Sequence, residues 1–493
     1  MKDTNQQVGQ LEAEEFVESH KDTLVVEIEK EMAQICPAAN DCFLFRIGDQ
    51  LRKVNEDAYT PEVIAIGPYH HGNQSLQAME GLKLRYLQSL LNQSREFSVG
   101  RFVTEVRNLG AKARNCYEEP INLSEDEFVK MLLLDSCFVV ELFRKFFYIG
   151  RRDYDDPVFL MEPIRSSIRR DLMLFENQLP FFMLEAFFNM TSIGNQSSES
   201  FIHLALHFIS FILPGAHQDH SISHLLPDYE PKHLLGLLHG SYVPSCARHN
   251  GNKGSPKVQE LIECSTKLHE KGIKFKKAHG ISLFDVHFIN GQMVIPALII
   301  DNHFEAIFLN LVFYEWHSQP GIPRYVSHYI AFMDCLIDSN KDIELLSRNG
   351  IIENLMGKDE SITRIFNRPA DSFIAIGDHF SYSEVFARVN KHCSDGWTQF
   401  MASCDKWIDS LKDNYFHSPW ALISFLAATI LLILTVVQTL YTVLSYDCQS
   451  DSSSQIALSM DYFQRFSRRR LYQLSFASAS PWSSSPLKLV AEE

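Results

Sequence analysis

The chain has 493 residues, 45% of them hydrophobic and 22% charged, the balance of a packed globular body rather than a disordered one. Its formal net charge of −16 argues against a nucleic-acid or phospholipid-surface role, because an acidic body is repelled by phosphate. Ten scattered cysteines contain no Cys-x-x-Cys pair and no dense disulfide framework, which leaves the redox compartment open.

Residues 1–41 read as an acidic tail followed by a first amphipathic helix with Leu24, Ile28, Met32 and Ile35 on one face. No basic stretch precedes an apolar core there, so no cleavable signal peptide is expected. A large body is expected over 42–415, beginning with a turn at Gly67-Pro68 and a helix over 76–91. Ser124 and Glu127 form a capping box ahead of Phe128, Met131, Leu132 and Phe138, which predicts a buried helix over 125–147. Further helices are expected over 161–176 and, restarted by Pro180, to about 190. The loop-rich stretch 217–256 suggests a seam within the body. Phe284, Val286 and Phe288 alternate with polar residues before Asn290-Gly291, the signature of a hairpin with a type I′ turn. Helical patterns resume over 304–316, 325–338, 341–348, 359–366 and 381–412.

Trp420 to Leu444 then run for 25 positions without a charge, and fourteen of those residues are Leu, Ile, Val or Phe. Leu426, Leu432 and Val437 lie along this run. As a helix it is about 37 Å long, enough to cross a hydrocarbon core of about 30 Å. A transmembrane segment over 416–446 follows, with residues 420–444 in contact with the lipid bilayer and a polar tail over 447–493. The expected fold class is mainly α: a large helical globular body with a small β-hairpin, plus one C-terminal transmembrane helix.

The segment Ala58-Tyr59-Thr60-Pro61-Glu62-Val63-Ile64-Ala65-Ile66-Gly67-Pro68-Tyr69-His70-His71-Gly72 closely resembles the plant "domain of unknown function 247" family, also catalogued as uncharacterised protein family 0481. The match continues at Met79-Glu80-x-x-Lys83, at Leu134-Asp135-Ser136-Cys137-Phe138 and at Asp171 through Phe182, and runs over about residues 42–446. Ile47-Gly48 departs from the family's usual Val-Pro-like pair, and the chain continues 47 residues past Tyr446, further than most members do. The resemblance implies an undefined biochemical activity. Some members are associated with pollen–stigma self-incompatibility in grasses.

Three clusters invite a chemical reading. His70-His71 are adjacent, so they point to different sides and do not chelate one ion as an i, i+4 pair would; hydrogen bonds to loop carbonyls are the simpler role. Glu176-Asn177-Gln178 look catalytic, yet the amides can satisfy backbone groups freed by Pro180 while Leu179, Phe181 and Phe182 fill the core. Asp153, Asp155 and Asp156 lack the Gly and distal Glu of an EF-hand loop and read as a solvated acidic loop. No catalytic, cofactor-binding or metal motif is present.

The expected function is that of a non-catalytic, single-pass membrane-anchored recognition or signalling protein with an unknown protein partner, in the plasma membrane or secretory pathway. The alternative is a membrane-bound enzyme whose site is assembled from dispersed residues. Five Asn-x-Ser/Thr sequons, at Asn73, Asn92, Asn122, Asn189 and Asn195, favour N-glycosylation and a body outside the cytosol, and Arg465, Arg468, Arg469 and Arg470 fit a cytosolic tail. Insertion after synthesis by the tail-anchor route would instead leave the body in the cytosol.

Overall fold

A computed structural model describes residues 24–28, 42–192, 199–210, 212, 230–242, 260–278, 282–317, 324–357, 359–373, 380–395, 423–443, 445 and 460. The acidic tail, most of the 24–35 helix, most of the 217–256 seam, Asn195, Trp420, Leu444 and nearly all of 447–493 lie outside the described residues. The chain divides into two units, Met1–Ser403 and Cys404–Glu493.

The first unit opens with α1 (Asp49–Val54), α2 (Gln77–Gln93), α3 (Val99–Arg114) and α4 (Glu125–Phe147). α4 begins and ends where the capping box and apolar run place it. Ser124 Oγ accepts from the Glu127 amide at 3.3 Å, and Glu127 Oε2 accepts from the Ser124 amide at 2.9 Å. Two of the helix-start donors that would otherwise lack partners are thereby used. α2 and α3 pack on α4, as do α7 (Phe181–Met190) and α8 (Phe201–Ile209), which follow the short α5 (Pro157–Leu160) and α6 (Glu162–Asp171). α4 is consequently a central helix: Phe138, Val139, Val140, Leu142 and Phe143 are fully buried. Each such side chain contributes about 1.5–3 kcal/mol on burial.

The expected 161–176 helix stops at Asp171, because the following chain is drawn into side-chain hydrogen bonds described below. Within the loop-rich stretch 217–256 lies a buried helix, α9 (Leu234–Tyr242), in the same apolar core. Its sequence of four leucines with two glycines carries little periodicity. Neighbouring side chains, not pattern, settle its conformation.

After α10 (Ser265–Glu270) come β1 (Lys274–Ala278), β2 (His287–Ile289) and β3 (Gln292–Pro296). β2 and β3 form the expected hairpin, with Asn290 at φ 51° and Gly291 at φ 74°, the left-handed pair of a type I′ turn. The hairpin is not alone, however: β1 pairs with β3 in parallel. A second parallel pair joins β4 (Leu298–Ile300) to β5 (Ile352–Asn354), which brackets α11 (Phe304–His317), α12 (Tyr325–Leu336) and α13 (Asn340–Arg348). The unit closes with α14 (Asp359–Phe373) and α15 (Ser383–Ser394). The architecture is mainly α with a few small strands. In the second unit α16 (Ile423–Val443) spans 21 residues at a mean hydropathy of 2.3, and none of its most apolar stretch is buried by protein.

Candidate functional site

The two most distinctive sequence segments, 58–72 and 171–180, meet in the interior. Asp171 lies at the end of α6, and its carboxylate accepts the amides of Glu62 at 3.0 Å, Val63 at 2.7 Å and Ile64 at 3.0 Å. Asn177 continues the pattern: its Oδ1 accepts the Ile66 amide at 2.7 Å, and its Nδ2 donates to the carbonyls of Ile64 and Asp171. Gln178 Nε2 donates to the Leu172 and Leu174 carbonyls, while its Oε1 accepts the Leu235 amide at the start of α9. An extended segment buried without strand partners would leave its amides unsatisfied at about 1–3 kcal/mol each. Here side chains supply the partners that a neighbouring strand otherwise would.

α4 and α2 contribute the charged part of the same lattice. Asp135 Oδ2 accepts the Gly67 amide at 2.8 Å, and its Oδ1 lies 2.6 Å from Lys83 Nζ. Lys83, wholly buried, also donates to the Ala65 carbonyl and to Glu80, each at 2.6 Å. Gly67 is required for two reasons. Its φ is +78°, and a Cβ there would lie 2.5 Å from the Gln178 carbonyl oxygen. The sequence motifs contained Lys83 and Asp135, but their pairing was not visible in them.

Glu176 is a hub. Its Oε1 accepts the Ile47 amide at 2.6 Å and its Oε2 pairs with Arg52. His70 Nε2 stands 3.4 Å from Glu176 Oε2, so this ring faces a carboxylate rather than the loop carbonyls expected of it. Burial pushes the Glu176 carboxyl up, but His70, the Ile47 amide and Arg52 outweigh it and hold it below the usual range. At Asp171 the balance reverses: burial exceeds the help of the three amides and of Arg170, and holds that carboxyl above its ordinary value. Both glutamate and amides of the 176–178 triplet thus serve the scaffold, with Phe181 buried and Phe182 half-buried beneath Lys112, whose Nζ lies 4.2 Å from the ring centre.

Two further buried histidines have defined partners. His233 Nδ1 accepts the Gly236 amide at 3.1 Å, and burial pushes its pKa down to about 3, so it stays neutral and able to accept. His239 Nε2 meets Glu315 Oε1 at 2.9 Å, and Glu315 also accepts the Val326 and Ser327 amides at the start of α12. The geometry is that of a carboxylate capping a helix N-terminus.

The acidic loop is only partly solvated. Asp156 is buried, bonded to the Tyr86 hydroxyl at 2.7 Å and to Lys145 at 3.1 Å; Asp153 pairs with Lys145 at 2.6 Å and Asp155 with Arg85. Among the described residues, no group of three or more His, Cys, Asp or Glu is placed to hold a metal ion. Open space exists elsewhere. A groove of about 590 Å³ is lined by Arg144, Phe147, Tyr148, Ile149, Arg151 and Phe188. A second, of about 430 Å³, lies on the outer face of β1–β3 by Lys276, His287 and Gln292. Of the expected span residues, Leu426, Leu432 and Val437 are exposed along α16. Asn73, Asn92, Asn122 and Asn189 are all exposed.

A family model described as "plant protein of unknown function" matches residues 44–434. A UPF0481 protein of Arabidopsis thaliana is 28% identical over 433 residues, covering 82% of this chain and 87% of its own length. A putative UPF0481 protein of the same plant is 23% identical over 500 residues, covering 82% and 90%. No solved structure matches.

Proposed function

The chain belongs to the DUF247 family of plant proteins of unknown function, and from that premise we propose that it is a single-pass membrane-anchored recognition or signalling protein whose body is not an enzyme. α16 carries this reading: 21 residues of mean hydropathy 2.3 measure about 31 Å, and the described side chains along them are exposed. Lipid is the occupant that such a surface fits. Its hydroxyls suit that setting, since Thr429, Thr439 and Thr442 donate to the carbonyls four residues earlier at 2.8, 2.7 and 2.7 Å. A non-catalytic body is supported by the engagement of its catalytic-looking groups: Glu176, Asn177, Gln178 and Asp171 bond backbone amides and carbonyls in the interior.

Alkaline carbonate extraction tests the anchor. The full chain should remain in the membrane pellet and a chain lacking 423–443 should be released; retention of the deleted form would overturn the reading. Digestion with an N-glycan-removing enzyme tests the side. A mobility shift is expected for a body outside the cytosol with sugars at Asn73, Asn92, Asn122 or Asn189, and an unshifted band together with protease protection of a tag near Met1 in sealed cells places the body inside. Proximity labelling from a tag at Met1 in plant tissue then identifies the partner, and failure to enrich any protein over an anchored control would count against recognition.

A further inference from the structure

The groove of about 590 Å³ is built in the first unit by the end of α4, the turn after it, the end of α7 and Leu204 of α8. Phe147, Tyr148, Phe188 and Leu204 give it aromatic and aliphatic sides. Arg144 is buried at its edge, with its guanidinium over the Phe188 ring at 4.6 Å. Its Nη groups bond Glu141 at 2.8 Å, the Thr191 hydroxyl at 2.8 Å and the Phe188 carbonyl at 3.0 Å, which ties α4 to the end of α7. Two helix C-termini therefore meet here, and their partial negative charge would repel an anion if left bare. Neither is bare. Arg144 covers the end of α7, and Arg152 donates to the Lys145 and Phe146 carbonyls at the end of α4. The nearby carboxylates are engaged as well: Glu141 with Arg144, Asp153 with Lys145, and Glu199 with His203. Arg151 is different. It borders the groove, is exposed, and has no ion pair among the described residues. Burial holds the Arg144 guanidinium below its ordinary range against the pull of Glu141, and the Arg151 charge adds to that lowering.

We propose that this groove binds a small aromatic monocarboxylate, its ring against the Phe147, Tyr148 and Phe188 walls and its carboxylate on Arg151. The volume lies within the range of about 300–1,000 Å³ that small-molecule sites occupy, and the lining has the composition of such sites: apolar and aromatic walls with a few polar groups. Charge selects the ligand's head. Arg144 and Glu141 cancel, so one arginine is left without a counter-charge, and a monoanion matches it. A carboxylate also fits the guanidinium fork with two parallel hydrogen bonds. The walls select its body, because flat rings pack on the faces and edges of other rings. The site belongs to the first unit and stands apart from the anchor in α16.

The test is equilibrium dialysis of 1-naphthoate and its neutral counterpart 1-naphthamide against the full chain in lipid nanodiscs, with empty nanodiscs as the blank. Naphthoate should bind saturably above the blank and more tightly than the amide. Arg151→Gln should weaken naphthoate about tenfold, the loss of one charge-assisted hydrogen bond, and leave the amide unchanged. Ile149→Glu sets a carboxylate beside Arg151 at a position 71% exposed, so it should expel naphthoate while the melting temperature holds. Uptake no greater than in empty nanodiscs would overturn the site. Equal affinity for acid and amide, indifferent to Arg151→Gln, would overturn recognition of the carboxylate. Saturable binding that neither substitution alters would place the acid elsewhere and overturn the assignment to this groove.

Discussion

α4 and α16 are both long apolar helices, 23 and 21 residues, but α4 is buried within its unit and α16 is exposed along its length. α4 lies inside protein and carries four charged residues there, Asp135, Glu141, Arg144 and Lys145. Each has a partner: Lys83 for Asp135, Arg144 for Glu141 at 2.8 Å, and Asp156 for Lys145. α16 is charge-free, and its threonine hydroxyls bond its own backbone. A protein interior can accept a charge if it also supplies a counter-charge and hydrogen bonds, whereas hydrocarbon supplies neither. Apolar content alone does not separate the two helices. Partnered charge does.

That contrast can be broken most sharply at Lys83. Lys83→Met leaves Asp135 buried and unpaired, and thermal unfolding of the full chain in micelles should report a loss of about 3–5 kcal/mol. Membrane retention should be unchanged. A second substitution, Asp135→Leu, should restore part of the loss; if the single variant unfolds like the unsubstituted chain, the pair is not a structural element of the core.

Leu432→Arg makes the converse change. An arginine at the centre of the span costs about 2.5–3.5 kcal/mol of insertion, so the carbonate-resistant fraction should fall while the body's melting temperature holds. A lowered melting temperature with full retention would mean that α16 packs as a core helix, and the distinction from α4 would collapse.

Asn177→Leu and Gln178→Leu sharpen the comparison at a smaller scale, since both residues give neutral polar groups to the lattice. Each should lower stability by about 1–3 kcal/mol for a buried backbone group left unpartnered, read as a lower melting temperature or poorer expression. Loss of partner binding at an unchanged melting temperature would instead make the segment functional.

The smallest effect is expected from acid. The Glu176 carboxyl is held below its usual range in the folded chain, so its contribution is complete above about pH 4.3, its unfolded value, and is lost as the pH falls through the folded one. Glu176→Gln should remove that part of the decline in stability at low pH. An identical acid limb in both proteins would show that the Arg52 and Ile47 contacts add nothing.

Local chemistry was legible where partners are close in sequence. Ser124 and Glu127 are three residues apart, and they placed the start of α4; Asn290-Gly291 placed the β2–β3 turn. The strand pairs that were not foreseen join distant residues: Lys274 to Gln292, and Leu298 to Ile352. Three-residue strands such as β4 and β5 carry too few positions for an alternating pattern to stand out. The acidic loop matched its solvated reading at the exposed Asp155 but not at Asp156, whose burial depends on Tyr86 and Lys145 being near.

The sequence by itself determined the helical class, the family, the capped central helix and a charge-free C-terminal run long enough to cross a bilayer, because each depends on composition or on residues within a few turns. Only the tertiary structure showed which groups the polar residues of the 58–72 and 171–180 segments, and Asp135, bond. Glu176, Asn177, Gln178, Asp171 and Asp135 have the same side chains in a catalytic site as in a scaffold. Their role turns on which backbone groups, as many as 129 residues away, come within hydrogen-bond distance.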